Sequence, residues 1–151
     1  MEQKLSFQDN LDTILWRLHL KSPPARVYQA LSTDAGRAAF WAESAEEHDE
    51  KIHFVFPGGI EWDGRVLQAN PPSQYVVQYY GNTTAAFTLQ DDGQGGTDLT
   101  LTDTGVSPQD RTEVIAGWVS VLIALKAAVD FGVDLRAHDP GRNWDSGFVE
   151  N

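Results

Sequence analysis

Five charged or basic side chains lie within segments that alternate like β-strands, and they are the first candidates for chemistry. They are Arg17, His19, Asp63, Arg65 and Asp103. Such residues can form cross-strand ion pairs on the outer face of a sheet, where each pair adds little stability. Alternatively, a carboxylate among them that faces inward could act as a general base at the mouth of a cavity, as cyclase-like chemistry requires. Both interpretations stay open at this point.

Metal and nucleophile sites are the next possibilities. His19 and His53, with Asp63 or Asp103, would supply two histidines and a carboxylate to a metal, although solvent-facing strand histidines explain the same residues. The chain contains no cysteine, which excludes disulfides and thiolate chemistry. Ser44 and Ser146 lie in polar segments without a histidine placed to activate them. No catalytic set is legible in these residues, and we expect no metal and no cofactor. Whether the protein is an enzyme stays open at this point, with a non-enzymatic role favoured.

Large apolar side chains recur on the predicted inner faces of the strands and of the last helix. Rings that meet at an angle leave a gap edged by indole N–H and phenol O–H groups, which suits a small amphipathic ligand. The alternative is that the rings fill the core, because protein interiors pack densely. The residues predicted to line a ligand cavity are Trp16, Trp41, Phe54, Trp62, Tyr75, Tyr79, Phe87, Leu101, Trp118 and Leu122.

Charge and composition narrow the class of protein. The net charge is −11, from 11 basic and 22 acidic residues, and a phosphate backbone would be repelled, so we expect no nucleic-acid binding. The longest apolar run, Val114 to Leu125, is shorter than the ~20 residues of a membrane span. The N-terminal "MEQKLSFQDN" lacks the apolar core of a signal peptide. We expect one cytoplasmic domain over residues 1–151, with a core at about 12–135 and a tail at 136–151.

The N-terminal third predicts a strand and two short helices. "TILWRLHL" (Thr13–Leu20) alternates with period two, which is typical of a half-buried strand. "SPPARVYQALS" follows as a helix, with Ser22 as its cap and two prolines in its first turn. "TDAGRAAFW" predicts a second short helix that is capped by Thr33 and ends near Trp41.

The middle of the chain predicts an antiparallel meander. Its strands are "KIHFVF", "IEWDGRVLQA", "QYVVQYY", "AAFTLQ" and "TDLTLTDT". Turn formers such as Asn70-Pro71-Pro72-Ser73 and "DDGQGG" separate them, and short connections join antiparallel strands.

A long apolar helix follows, with Ser107 as its predicted cap and Pro108 at its first position. Helical spacing groups Val114, Trp118, Val121, Leu122, Leu125, Ala128 and Val129 into one stripe. The helix is expected to close the concave face of a twisted sheet. Val119 and Ile123 fall outside the stripe, and they indicate either a dimer or partner surface or a patch covered by the Trp144–Phe148 tail.

Four stretches resemble a known family. "SPPARVYQALS" is similar to an Ala-Pro-x-x-x-Val-Trp-x-Ala-Leu opening, and "AAFW" matches the tryptophan that ends the second short helix. "DGRVLQANPPSQYVVQYY" resembles a Gly-x-Val, Pro-Pro and aromatic strand pattern. "TDLTLTDTGV" with "GWVSVLIALKAAV" resembles the penultimate strand, the Gly turn and the Gly-Trp-x-x-x-Leu-x-x-Leu-Lys helix. In this order, over about residues 12 to 135, they resemble the START-like (SRPBCC) helix-grip superfamily. Within it they resemble the family named after the C-terminal domain of the activator of Hsp90 ATPase. Asp103 departs from the resemblance, since we associate that position with histidine or another polar residue.

The resemblance implies an α+β helix-grip fold. A curved antiparallel sheet of about six or seven strands would wrap around the long C-terminal helix, with two short helices after strand 1. It also implies a cavity that relatives use in different ways. A non-enzymatic binding protein for a small apolar or amphipathic molecule is the favoured function. A co-chaperone-like, stress-related protein with a chaperone partner is the alternative, a polyketide cyclase-like enzyme is the third, and a homodimer fits any of them.

Overall fold

A seven-stranded antiparallel sheet forms the wall of the fold. The computed structural model describes residues 12–150, so the prediction for the N-terminal "MEQKLSFQDN" falls outside the described residues. The strands pair in the order β1-β7-β6-β5-β4-β3-β2, so the first and last strands of the chain lie side by side at one edge. The bounds are β1 (Thr13–Leu20), β2 (Ser44–His48), β3 (Lys51–Phe56), β4 (Ile60–Asn70), β5 (Gln74–Gln78), β6 (Thr84–Asp91) and β7 (Thr97–Thr104). The predicted curved sheet and α+β helix-grip fold are confirmed.

The inner face of the sheet carries the core, and its alternation follows the sequence pattern. On β3, Ile52, Phe54 and Phe56 are buried, and on β7 Leu99 and Leu101 are fully buried. Gly64 on β4 makes close strand contact possible, because a Cβ there would lie 2.6 Å from the carbonyl oxygen of Gln78. The register between β4 and β5 shifts between Val66 and Gln68, which bends the sheet locally.

Two short helices, α1 (Pro24–Ser32) and α2 (Asp34–Ala38), follow β1. The prediction that Thr33 caps α2 is confirmed, since its Oγ1 accepts from the Gly36 amide at 3.0 Å. The prediction that Ser22 caps α1 is wrong, because Pro23 occupies the cap position without a side-chain hydrogen bond. The Ser22 hydroxyl instead lies 2.8 Å from Asp130 Oδ1 and 3.2 Å from the carbonyl of Val129, so it ties β1 to the end of the last helix.

Arg37 on α2 is a fully buried cation that the sequence pattern did not reveal. Its guanidinium donates to the backbone carbonyls of Ala45 and Leu31 at 2.9 and 3.2 Å, and to Tyr75 Oη at 3.3 Å. Asp34 accepts at 2.7 Å and supplies the opposite charge. Because a buried charge is tolerated only when paired and hydrogen-bonded, Arg37 fixes the two helices against the sheet.

The long helix α3 (Arg111–Phe131) lies across the concave face of the sheet. Its predicted apolar stripe is confirmed, with Trp118, Leu122, Leu125 and Val129 buried. The predicted start at Ser107 and Pro108 is wrong. Residues 107–110 form a turn in which the Ser107 hydroxyl donates to Asp110 Oδ2 at 2.9 Å, and the helix begins at Arg111. Helix α3 is long and apolar enough to span a membrane by length and composition, a test that core helices of folded domains also meet.

The tail after α3 returns along the molecule and is fastened by a cluster of charged groups. Arg136 donates to the carbonyls of Ala42 and Ala38 at 2.7 and 2.6 Å. His138 lies 2.6 Å from Asp134 and 2.7 Å from Glu43, and these two hydrogen bonds raise the pKa of His138 above its ordinary value. Burial tends to raise the pKa of Asp134, but the hydrogen bonds from Arg136 and His138 have the larger combined effect. The pKa of Asp134 is therefore lower than its ordinary value. We call these four residues (Asp134, Arg136, His138 and Glu43) the tail clamp.

The tail does not cover the outer face of α3. Val119 and Ile123 are 42% and 49% exposed, although the Ser120 hydroxyl between them donates to the carbonyl of Val149 at 2.5 Å. Of the two alternatives for this pair, the one in which the Trp144–Phe148 tail covers it is therefore wrong.

Candidate functional site

A cavity of about 270 Å³ lies between one end of the sheet, the first half of α3 and the tail. β3, β4 and the segment after β5 form one side, and α3 forms the opposite side. The volume is close to the lower end of the ~300–1,000 Å³ typical of small-molecule pockets. The apolar lining of α3 consists of Val114, Gly117, Trp118 and Val121. Gly117 leaves space open there, because a Cβ built on it meets no atom within 4 Å.

Six of the lining residues are aromatic: Phe56, Trp62, Tyr79, Tyr80, Trp118 and Trp144. The ring centroids of Phe56 and Trp62 are 4.5 Å apart, and Trp62 and Tyr80 meet edge-on at 4.9 Å. Tyr79 and Trp118 bring the sheet side and the helix side together at 5.0 Å. The cavity is therefore bounded by aromatic side chains that pack against one another.

Asp103 contributes a carboxyl group to the cavity wall. On β7 it shares the inward face with Leu99 and Leu101, and its side chain is fully buried. Oδ2 accepts from the Trp118 indole N–H at 2.8 Å, whereas Oδ1 has no hydrogen-bond partner among the described residues. The Thr83 hydroxyl is near enough to favour the ionised carboxylate but makes no well-formed hydrogen bond. Burial is the larger effect and raises the pKa of Asp103.

Polar atoms of the aromatic walls add to this site. The Trp62 indole N–H is buried without a partner among the described residues. Tyr79 Oη accepts from the Trp41 indole at 2.9 Å, and burial raises the pKa of Tyr79, so the phenol stays neutral. Among the described residues, Trp62 Nε1 is thus a buried donor and Asp103 Oδ1 a buried acceptor without a hydrogen-bond partner, and each costs stability until a partner reaches it.

The mouth of the cavity is acidic. Asp110, Glu113 and Asp145 line it together with Trp144, whose indole donates to Glu113 at 3.2 Å. With Asp103, four carboxyl groups line the cavity. Among the lining residues that the structure describes there is no lysine, arginine or histidine.

The ten residues predicted to line a cavity divide into two groups. Trp62, Tyr79 and Trp118 line the cavity. The others belong to the core and do not line the cavity, although Trp41 and Phe54 pack directly against its rings. Trp16 on β1 is half-buried, and the remaining residues are buried: Trp41, Phe54, Tyr75, Phe87, Leu101 and Leu122. Tyr80, Gly117 and Trp144 also line the cavity and were not among the predicted residues, although "GW" in the helix and the apolar residues of the tail are visible in the sequence.

The proposed histidine–carboxylate metal set does not come together. His19 on β1 lies 2.9 Å from Asp92, and His53 on β3 lies 2.7 Å from Asp63. Four strands separate β1 from β3 in the sheet. Within residues 12–150 no cluster of three or more metal-ligating side chains exists.

Sequence comparison decides the family. The model of the "Activator of Hsp90 ATPase homolog 1-like protein" family matches residues 21–130, which is more than half of the chain. The chain belongs to this family. The matched residues include most of the cavity lining, whereas Trp144 and Asp145 lie beyond them. No curated protein matches the chain in sequence.

Solved structures show the same fold. The Aha1 dimer from Colwellia psychrerythraea is 25% identical, covers 80% of this chain and 97% of its own, and has a TM-score of 0.71. A protein from Staphylococcus saprophyticus is 20% identical over 83% of this chain and 96% of its own, also with a TM-score of 0.71. A protein from Chromobacterium violaceum is 25% identical over 79% of this chain and 98% of its own, with a TM-score of 0.64.

Proposed function

We propose that this domain is a cytoplasmic, non-enzymatic binding protein whose cavity holds a small apolar or amphipathic molecule. The observation that carries the proposal is the aromatic cavity of about 270 Å³, in whose wall Trp62 Nε1 and Asp103 Oδ1 find no hydrogen-bond partner among residues 12–150. Apolar walls with a few polar groups that fix orientation are typical of ligand pockets. A ligand that reaches either polar atom would relieve the cost of leaving it buried and unpaired.

Fluorescence titration with N-phenyl-1-naphthylamine, a neutral hydrophobic dye, tests the proposal. We expect saturable binding, with quenching of the tryptophans, because Trp62, Trp118 and Trp144 line the cavity. Gly117→Leu extends a side chain into the open space beside α3 and should abolish binding. Ala116→Leu places the same side chain on the exposed side of the helix and serves as the matched control. A flat titration with the wild-type chain refutes the proposal.

A protein-interaction role is the second candidate, and the exposed pair Val119 and Ile123 favours it. Two apolar side chains one helical turn apart on a surface helix fit a protein partner, either a chaperone or a second copy of the chain. The likeness to the Aha1 dimer supports the same idea. Stimulation of Hsp90 ATPase activity that is lost in Val119→Ser/Ile123→Ser would support the chaperone, and light scattering would report a dimer. A monomer without effect on the ATPase would remove this candidate.

A further inference from the structure

All the ionisable carboxyl and basic side chains that line the cavity are acidic, and this indicates which class of ligand it can hold. Asp103 lies in the wall, and Asp110, Glu113 and Asp145 line the mouth. The Ser107 hydroxyl donates to Asp110 and the Trp144 indole donates to Glu113, but both donors are neutral and cancel no charge. The acidic lining is therefore uncompensated by any cationic side chain that lines the cavity.

The positive charge at the start of α3 is smaller than the charge of the carboxylates that line the cavity. The N-terminus of α3 contributes roughly half a positive charge from its backbone dipoles. Arg111 begins the helix, but it does not line the cavity, and its guanidinium donates to the carbonyl of Thr13 at 2.9 Å. An anionic ligand such as a fatty acid would meet net repulsion at the mouth and a buried carboxyl group inside.

The aromatic walls favour the same sign of charge. The face of an indole, phenol or phenyl ring attracts a cation that approaches within ~6 Å of the centroid, and the attraction grows when water is excluded. Trp62, Tyr79, Tyr80 and Trp118 present such rings around the cavity. Asp103 Oδ1 adds an independent observation: it is a fully buried acceptor in the wall that receives no hydrogen bond within the described part of the chain.

We propose that the ligand is an organic cation, an apolar body that carries a protonated amine, with its ammonium group held by Asp103 and the surrounding rings. This inference rests on the proposed function, and it specifies the chemistry of the ligand. The carboxylates at the mouth attract the cation, the apolar body fills the space beside Gly117, and Asp103 Oδ1 accepts from the ammonium group. Ionised Asp103 is then paired, so the bound amine offsets the cost of its burial.

A matched series of three compounds tests the inference by calorimetry: 4-phenylbutylamine, 4-phenylbutanol and 4-phenylbutyrate. They share one apolar body and differ in charge. We expect the amine to bind at least about tenfold more tightly than the alcohol, and the carboxylate to bind weakest, because a charge-assisted hydrogen bond is stronger than a neutral one. If the alcohol or the carboxylate binds as tightly as the amine, the inference is overturned while the proposed function stands. If none of the three binds and the neutral dye also fails, the proposed function itself is refuted.

Variants separate Asp103 from general acidity. Asp103→Asn keeps the shape and an acceptor for Trp118, and it should weaken the amine about tenfold while leaving the alcohol unchanged. Asp98→Asn, on the exposed face of the same strand, is the matched control and should change neither affinity. Glu113→Gln/Asp145→Asn, at the exposed mouth, should weaken the amine by a smaller factor and keeps the test valid if Asp103→Asn does not fold. Amine binding that is insensitive both to Asp103→Asn and to this double variant overturns the assignment.

Discussion

Gly117 makes the relation between the cavity and stability measurable. It lies in the interior of α3, where glycine is ~1 kcal/mol less favourable than alanine. A Cβ at this position meets nothing within 4 Å, so Gly117→Ala gains helix propensity without a clash. We expect the free energy of unfolding to rise by ~1 kcal/mol, which raises Tm by ~2–4 °C for a domain of this size.

Gly117→Leu carries the same reasoning further. The additional carbons enter the cavity, and each methylene removed from water contributes up to ~0.8 kcal/mol. The stability gain should therefore exceed that of Gly117→Ala, while binding of the neutral dye is lost. Stability and binding are expected to change in opposite directions because both depend on the same empty space.

Urea unfolding and thermal unfolding followed by circular dichroism measure the first quantity, and dye titration measures the second. Ala116→Leu should leave dye binding unchanged and shift stability only slightly, since that side chain faces solvent. A Gly117→Leu protein that is less stable than the wild type, or that still binds the dye with unchanged affinity, would refute the described position of the cavity.

Three further outcomes are expected. Arg37→Met should lower the free energy of unfolding, measured by urea titration, by ~3 kcal/mol, because the buried acceptors around Arg37 lose their donor. Arg65 is exposed, and an equally large effect of the control Arg65→Met would contradict this reasoning. Ser22→Ala should cost ~1–2 kcal/mol in thermal unfolding, since the hydroxyl that lies 2.8 Å from Asp130 is lost, and an unchanged Tm would argue against the tie. The pKa of His138 is raised above 6.5 in the folded protein, so protonated His138 stabilises the docked tail. This stabilisation is complete below pH 6.5 and is lost as the pH rises through the pKa of His138 in the folded state. Limited proteolysis of residues 137–150 should therefore accelerate from about pH 6 to about pH 9, and His138→Gln should remove that change; a pH profile that the variant leaves unaltered would count against the tail clamp.

The sequence predicts the fold well because local periodicity and burial agree over most of the chain. Strands such as β3 and β7 alternate with period two, and the stripe of α3 repeats with helical spacing. β2 was missed, since "SAEEH" buries only Ala45 fully and pairs with β3 alone at the edge of the sheet, so it shows no apolar period. The start of α3 was misplaced because Ser107 can close a turn as readily as it caps a helix.

The site was harder to predict than the fold. The curvature of the sheet and the positions of segments far apart in sequence decide which aromatic rings line the cavity. Trp41 and Phe87 are large aromatic residues like those that line the cavity, yet they are buried in the core. Trp144 reaches the cavity only because the tail folds back from the end of α3. Asp103, by contrast, was predictable in position: the alternation of "TDLTLTDT" places it on the face of Leu99 and Leu101. Only the packed structure shows that its Oδ1 has no hydrogen-bond partner among the described residues.

The contribution of Trp144 to the cavity joins the end of the chain to whatever occupies the interior. Thermodynamic reciprocity requires that an occupant which contacts this indole protects the tail from detachment by the same factor by which tail docking tightens the occupant. The tail clamp thereby acts on affinity from a distance. A protease, a fused peptide or a change of solvent that detaches residues 134–145 would therefore weaken binding of the occupant, although no residue of the sheet has changed.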